Sequence, residues 1–208
     1  MASDQKSIVY RMLLFPVVLT IGIVLIPVVA DYSDHQLASQ QVEQTARWFL
    51  GHIVAAAAFG LSLLSVGAVE ELFQRISYRL PGFIKLIMAI GAGLFAAGLG
   101  ADGIGPVAVR ASTGDAGLFF DGSGWFVNGT FMAAVVFFGV GLISLVGHAN
   151  NAGLIKGAWR YVAFISALLF VSVPALPSGW GLYGEAMASF GVFLPMALAE
   201  LGAAGLPR

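Results

Sequence analysis

A few ionisable side chains within long apolar runs are the residues of this chain best suited to chemistry. His52 follows Trp48 by four residues, so the two side chains share one face of a helix. Asp102 closes a later apolar run, and Glu185 lies near the start of another. A histidine beside a carboxylate can bind a polar headgroup, a cation or a proton. We therefore predict a ligand-binding site formed by His52, Asp102, Glu185 and Trp48.

His148 is a second histidine at the end of an apolar run, followed by the sequence Ala-Asn-Asn, which is typical of a helix C-terminus. A haem, a pigment or a quinone beside His52 or His148 is an alternative use of these residues. A bis-histidine haem needs two ligands at a common depth, and these two histidines are predicted in opposite leaflets. The pattern therefore allows a single histidine ligand and disfavours a pair.

Other chemistry is missing from the sequence. The chain has no cysteine, which excludes disulfides, thiolate metal sites, iron–sulfur clusters and cysteine nucleophiles. It also lacks the nucleophile-elbow, zinc-protease and phosphate-loop motifs. We predict no catalytic residue and no metal site, and no motif identifies a cofactor.

The composition is that of a membrane protein. Of 208 residues, 59% are hydrophobic and only 10% are charged, against about 45–50% and 25% in soluble domains. The formal net charge is −1, so the chain lacks the excess of basic residues that favours binding to nucleic acid. The sequence predicts an all-α integral membrane protein forming a single membrane domain over 1–208.

Six apolar runs approach the length of about 17–25 helical residues that crosses a bilayer. Pro174 and Pro177 end the fifth run, and Pro195 interrupts the sixth. Uniformly apolar runs favour helices over the alternating strands of a barrel. The six predicted spans are 12–30, 48–69, 82–101, 125–147, 159–174 and 182–201.

The positions of lysine and arginine predict the orientation. With six spans and a cytoplasmic N-terminus, eight basic residues lie inside and two lie outside, which follows the positive-inside rule. We therefore expect a multi-pass protein of the plasma (inner) membrane with both termini cytoplasmic. The inner residues are Lys6, Arg11, Arg75, Arg79, Lys85, Lys156, Arg160 and Arg208, and the outer ones are Arg47 and Arg110.

Two outer segments lie between these spans. In the polar segment 31–47, Ser33 or Asp34 is predicted to cap a helix that continues through Gln36–Arg47 into the second span. The segment 102–124 is rich in glycine, which predicts a long outer loop. Its apolar residues could cover the membrane surface or dock other membrane-protein subunits.

These observations favour a non-enzymatic function. We predict an accessory or scaffold subunit of a membrane complex, or a protein that binds a lipid-like small molecule. One alternative is a redox protein that binds haem, a pigment or a quinone. A second is a small transporter or a lipid-modifying enzyme with a site at the outer mouth, formed by His52, Asp102 and Glu185.

Overall fold

The computed structural model describes residues 2–176 and 178–203, and in this part of the chain it contains helices and no strands. Pro177 and Arg208, which enter the predictions above, lie outside the described residues. The elements are α1 (Ala2–Leu25), α2 (His35–Val42), α3 (Thr45–Arg75), α4 (Gly82–Thr113), α5 (Gly117–Gly122), α6 (Gly124–Asn151), α7 (Ala158–Ser172), a 3-10 turn (Val173–Ala175) and α8 (Trp180–Ala203).

Six of these helices form a closed ring. Helices α1, α3, α4, α6, α7 and α8 each pack against the next one in this order, and α8 packs back against α1. Consecutive helices of the ring run in opposite directions, so each end of the bundle combines the N-termini of three helices with the C-termini of the other three. We call the end with Trp48, His52 and Asp102 the site end, and the end with Arg11 and Arg75 the basic end.

Glycines bring the helix backbones close together at two contacts in the ring. A Cβ atom on Gly22 would lie 2.5 Å from the backbone nitrogen of Ala55, and one on Gly91 would lie 2.3 Å from the backbone nitrogen of Phe138. Small residues are the usual means by which helices in lipid gain van der Waals contact. They fix the spacing of α1 against α3 and of α4 against α6.

A layer of phenylalanine rings fills the centre of the bundle. Each of the six ring helices contributes one side chain that is at most 3% exposed. The Phe59 and Phe95 rings stack with centroids 4.1 Å apart, and the Phe15 and Phe193 rings meet edge to face at 5.9 Å. The layer separates the interior of the site end from that of the basic end. Its members are Phe15, Phe59, Phe95, Phe138, Phe170 and Phe193.

The helical fold class is confirmed, and five helices (α1, α3, α4, α6 and α8) are long and apolar enough to cross a membrane. The fifth predicted span corresponds to α7, which is apolar but has only 15 residues before the 3-10 turn that contains Pro174. Proline prevents the regular helix from continuing there.

The predicted loop at 102–124 is wrong. Helix α4 continues to Thr113 through a buried Pro106, and α5 follows after a turn at Gly114 with φ +86°. Two of the glycines that indicated a loop serve close packing instead. A Cβ atom on Gly103 would lie 2.6 Å from the Cβ atom of His52, and one on Gly105 would lie 2.2 Å from the Phe119 ring.

The segment 31–47 forms a helix that does not run on into α3. Asp34 caps α2 as predicted, because its carboxylate accepts hydrogen bonds from the backbone N–H groups of Gln36 and Leu37 at 3.0 and 3.1 Å. The helix then breaks after Val42. Together α2 and α5 cover the site end above a second, smaller core of Val29, Ala38, Val42, Trp48 and Ala116.

Candidate functional site

A cavity of about 650 Å³ lies inside the site end. Its floor is formed by the stacked Phe59 and Phe95 of the phenylalanine layer, and its buried walls include Leu19 and Leu99. Tyr32 from the α1–α2 connection also lines it. Both its volume and its predominantly apolar lining fall within the range of natural small-molecule sites.

Three of the predicted residues meet at the boundary between α3 and α4. The Trp48 and His52 side chains are buried, and their rings lie 4.6 Å apart. Trp48 Nε1 donates a hydrogen bond of 2.8 Å to the carbonyl oxygen of Asp102, and His52 Nε2 lies 3.2 Å from Asp102 Oδ2. The predicted proximity of His52 and Asp102 is therefore present, while the binding role of these residues stays a prediction.

The hydrogen bonds of His52 determine where its protons are. Nδ1 lies 2.7 Å from the carbonyl oxygen of Trp48, and a carbonyl can only accept, so Nδ1 carries a hydrogen. The contact between Nε2 and the Asp102 carboxyl group is then a hydrogen bond only if a second proton lies on one of the two groups.

Glu185 lines the same cavity from the second turn of α8. The residue is 5% exposed, and its buried Oε1 atom has no hydrogen-bond partner among the described residues. An unsatisfied buried oxygen of this kind costs free energy and calls for an explanation. Of the four predicted binding residues, Glu185 is the one whose side chain is left open to a ligand.

The roof of the cavity contains a second histidine–carboxylate contact. His35 Nδ1 on α2 lies 2.5 Å from Asp121 Oδ1 on α5, and both residues line the cavity. Burial, and secondly the Asp102 carboxylate, raise the pKa of Tyr32 above its usual range, so its hydroxyl group stays protonated. Hydrogen bonds from Ser33 lower the pKa of Asp31, which keeps that exposed carboxylate ionised.

The mouth of the cavity lies on one side of the bundle. Trp125, Asn128 and Met132 share one face of α6; all three line the cavity and are exposed on the outside. Leu176, after the 3-10 turn, also lines the cavity and is exposed, and it lies on the opposite side of the opening. Met132 is eight residues after the start of α6, about 12 Å along the helix axis. The opening therefore extends from the end of the bundle down its side.

The basic end contains a network of ion pairs. Arg75 donates to Glu200 at 2.6 Å, to Asp4 at 2.5 Å and to Glu71 at 3.4 Å, and Arg11 donates to Glu71 at 2.6 Å. The four-residue spacing of Glu71 and Arg75 predicts one of these contacts. The others join α1, α3 and α8, and no local spacing could have revealed them.

His148 lies at the basic end, far from the cavity. Its Nδ1 atom is 2.7 Å from the hydroxyl oxygen of Tyr78, which joins α6 to the connection between α3 and α4. The structure therefore does not bring His148 together with His52. Since both ring nitrogens of His52 are already engaged, a haem iron there would have to displace Trp48 or Asp102.

The described residues contain no group of three or more His, Cys, Asp or Glu side chains arranged to hold a metal ion. Comparisons with protein-family models, with curated proteins and with solved structures find no match to this chain. The function is therefore argued from the site itself.

Proposed function

We propose that this protein is a polytopic membrane protein that binds a lipid-like small molecule in the cavity at the site end. The observation that carries the proposal is an apolar cavity of about 650 Å³ with an unsatisfied carboxylate, Glu185, in its wall. The apolar walls favour a hydrocarbon or ring system. The polar groups of Glu185, His52 and Asp102 favour a single polar head on that ligand.

The side opening supports entry from the membrane. Met132 and Leu176 are exposed apolar residues that also line the cavity. A ligand dissolved in one leaflet could reach the cavity between α6 and the 3-10 turn without passing through water. A lipid-like molecule is already concentrated in that leaflet, so this route favours an amphiphile over a water-soluble solute.

The orientation is part of the proposal. We place α7 across the membrane as the sixth span, because it closes the ring between α6 and α8 and the 3-10 turn extends it. Basic residues concentrate at the basic end, and the positive-inside rule therefore supports a cytoplasmic location for that end and both termini. The chain lacks cysteine, so Lys156→Cys should react with a thiol reagent from inside, and Ser178→Cys, between the 3-10 turn and α8, should react from outside. Reaction of both from one side would contradict the sixth span.

An accessory-subunit function that docks partners through 102–124 has less support. Phe119 is buried and Phe120 lines the cavity, so the two phenylalanines of this segment are directed into the protein. Trp125 and Phe126 are exposed, but Trp125 is also part of the mouth.

Photolabelling tests the proposed binding site. Protein in lipid nanodiscs is irradiated with a diazirine-bearing fatty alcohol, and the labelled peptides are mapped by mass spectrometry. We expect label on cavity residues such as Leu99 and Phe131, and loss of that label in Leu182→Trp, which fills the cavity from α8. Met187→Trp is the matched control, because Met187 is on the same helix, is 69% exposed and does not line the cavity. Label confined to lipid-facing residues in all variants would refute the proposal.

A further inference from the structure

The charges around the cavity differ from those of the protein as a whole. Three acidic residues line it, Asp102, Asp121 and Glu185, and no lysine or arginine is among the described lining residues. The whole chain, in contrast, has almost equal numbers of basic and acidic residues, 10 and 11. The cavity therefore has an excess of acidic over strongly basic residues, enclosed by low-dielectric walls where electrostatic interactions are strong.

Two of the three acidic residues already have a partner of the complementary type. Asp102 contacts His52 at 3.2 Å, and Asp121 contacts His35 at 2.5 Å. Glu185 has no such partner, although it is the most buried of the three. A carboxylate in this position lacks a positively charged hydrogen-bond donor.

Aromatic rings surround the same space. Phe59, Phe95 and Phe131 line the cavity deep in the bundle, and Trp125 lines it at the mouth. The faces of aromatic rings attract cations, and this attraction adds to that of a carboxylate when water is excluded. A bare metal ion would not suit the site, since such ions need several oxygen ligands and the described residues offer no such cluster.

We infer that the ligand of the cavity is an amphipathic amine, whose charged N–H group binds the Glu185 carboxylate and whose hydrocarbon part fills the aromatic space above Phe59 and Phe95. This inference rests on the proposed function and specifies the chemistry of its ligand. The ammonium group forms a charge-assisted hydrogen bond with the glutamate. The hydrocarbon part extends toward the mouth at Met132.

Three probes with the same chain and different heads test this inference. Dodecylamine, dodecanol and dodecanoate are each titrated in radiolabelled form against the full chain in lipid nanodiscs, and binding to empty nanodiscs is subtracted. We expect dodecylamine to bind at least about tenfold more tightly than dodecanol, a difference of about 1.4 kcal/mol. Dodecanoate should bind most weakly, because its charge repels the acidic lining.

Variants identify the residue responsible. Glu185→Gln has the same shape without the charge and should abolish the preference for the amine while leaving dodecanol affinity within about twofold. Glu185→Asp keeps the charge and should keep part of the preference. Asp121→Asn is the matched control in the roof of the cavity and should keep all of the preference. A preference lost in Asp121→Asn and kept in Glu185→Gln would overturn the assignment.

The results separate this inference from the proposed function. If the wild type binds dodecylamine and dodecanol equally, and Leu182→Trp abolishes the binding of both, the amine preference is refuted. The proposal of a lipid-binding cavity is then still supported. Absence of saturable binding for all three probes would contradict both.

Discussion

Helix α8 carries one buried glutamate near each end, and the two have opposite surroundings. Glu200, 3% exposed, accepts a hydrogen bond of 2.6 Å from Arg75 at the basic end. Glu185, 5% exposed, lies in the wall of a cavity with an oxygen that has no partner among the described residues. Two glutamates with similar burial therefore differ in role: Glu200 stabilises the fold at the basic end, and Glu185 has an oxygen available to a ligand at the site end.

The two ends of the bundle also differ in how their helices are joined. At the basic end, α1, α3 and α8 are joined by ion pairs around Arg75. At the site end, His52 and Asp102 join α3 to α4, while α8 faces the cavity. Ion pairs between helices add to the packing that holds the bundle together, whereas an uncompensated polar group in a cavity is available to a ligand. The two functions are separated by the phenylalanine layer.

Among the variants that test this contrast, Glu200→Gln is expected to change the free energy of unfolding most. This change leaves the Arg75 charge without its most buried acceptor and should reduce the free energy of unfolding by about 2 kcal/mol. This value is below that of a fully buried pair, because the Arg75 side chain is 32% exposed and has Asp4 and Glu71 as further acceptors. Urea and detergent unfolding followed by circular dichroism measures the change.

Glu185→Gln is the matched variant on the same helix. It removes a buried carboxyl group whose Oε1 atom has no partner among the described residues, so stability should stay the same or increase. Equal destabilisation by the two variants would contradict the contrast between the two ends, because it would mean that Glu185 is also a structural residue.

A smaller difference in unfolding free energy is expected between alanine variants of His52 and His148, the two histidines in the ring helices. His52→Ala leaves the Asp102 carboxyl group without its contact at the cavity and should cost about 1–2 kcal/mol of unfolding free energy. His148→Ala frees a Tyr78 hydroxyl at the end of the bundle that can turn to water, and should cost less than about 1 kcal/mol. Thermal unfolding of the two variants in the same detergent compares them. A larger loss for His148→Ala would reverse the expected order.

The fold class and part of the site could be predicted from the sequence. Apolar runs without charge require helices in lipid, because every backbone polar group must be satisfied within the segment. His52 and Asp102 lie near facing ends of consecutive antiparallel runs, and this arrangement alone predicts their contact. The same argument predicts that Glu185 lies at the same end of the bundle as His52 and Asp102.

Other features depend on long-range packing that local sequence does not encode. The glycines at 103 and 105 predict a loop in isolation, and only the neighbouring His52 and Phe119 explain their presence in a helix. The phenylalanine layer combines one residue from each of six helices, and the position of each along its helix is set by its partners. Arg75 likewise meets Glu200 across 125 positions of sequence.

Native mass spectrometry of the wild-type protein, extracted from its own membranes without detergent exchange, tests the central claim most directly. We predict that a small amphiphile stays bound in about equimolar amount and that Leu182→Trp loses it while Met187→Trp keeps it. Wild-type protein that carries no such molecule, or that carries the same molecules as Leu182→Trp, would contradict a ligand-binding cavity at the site end.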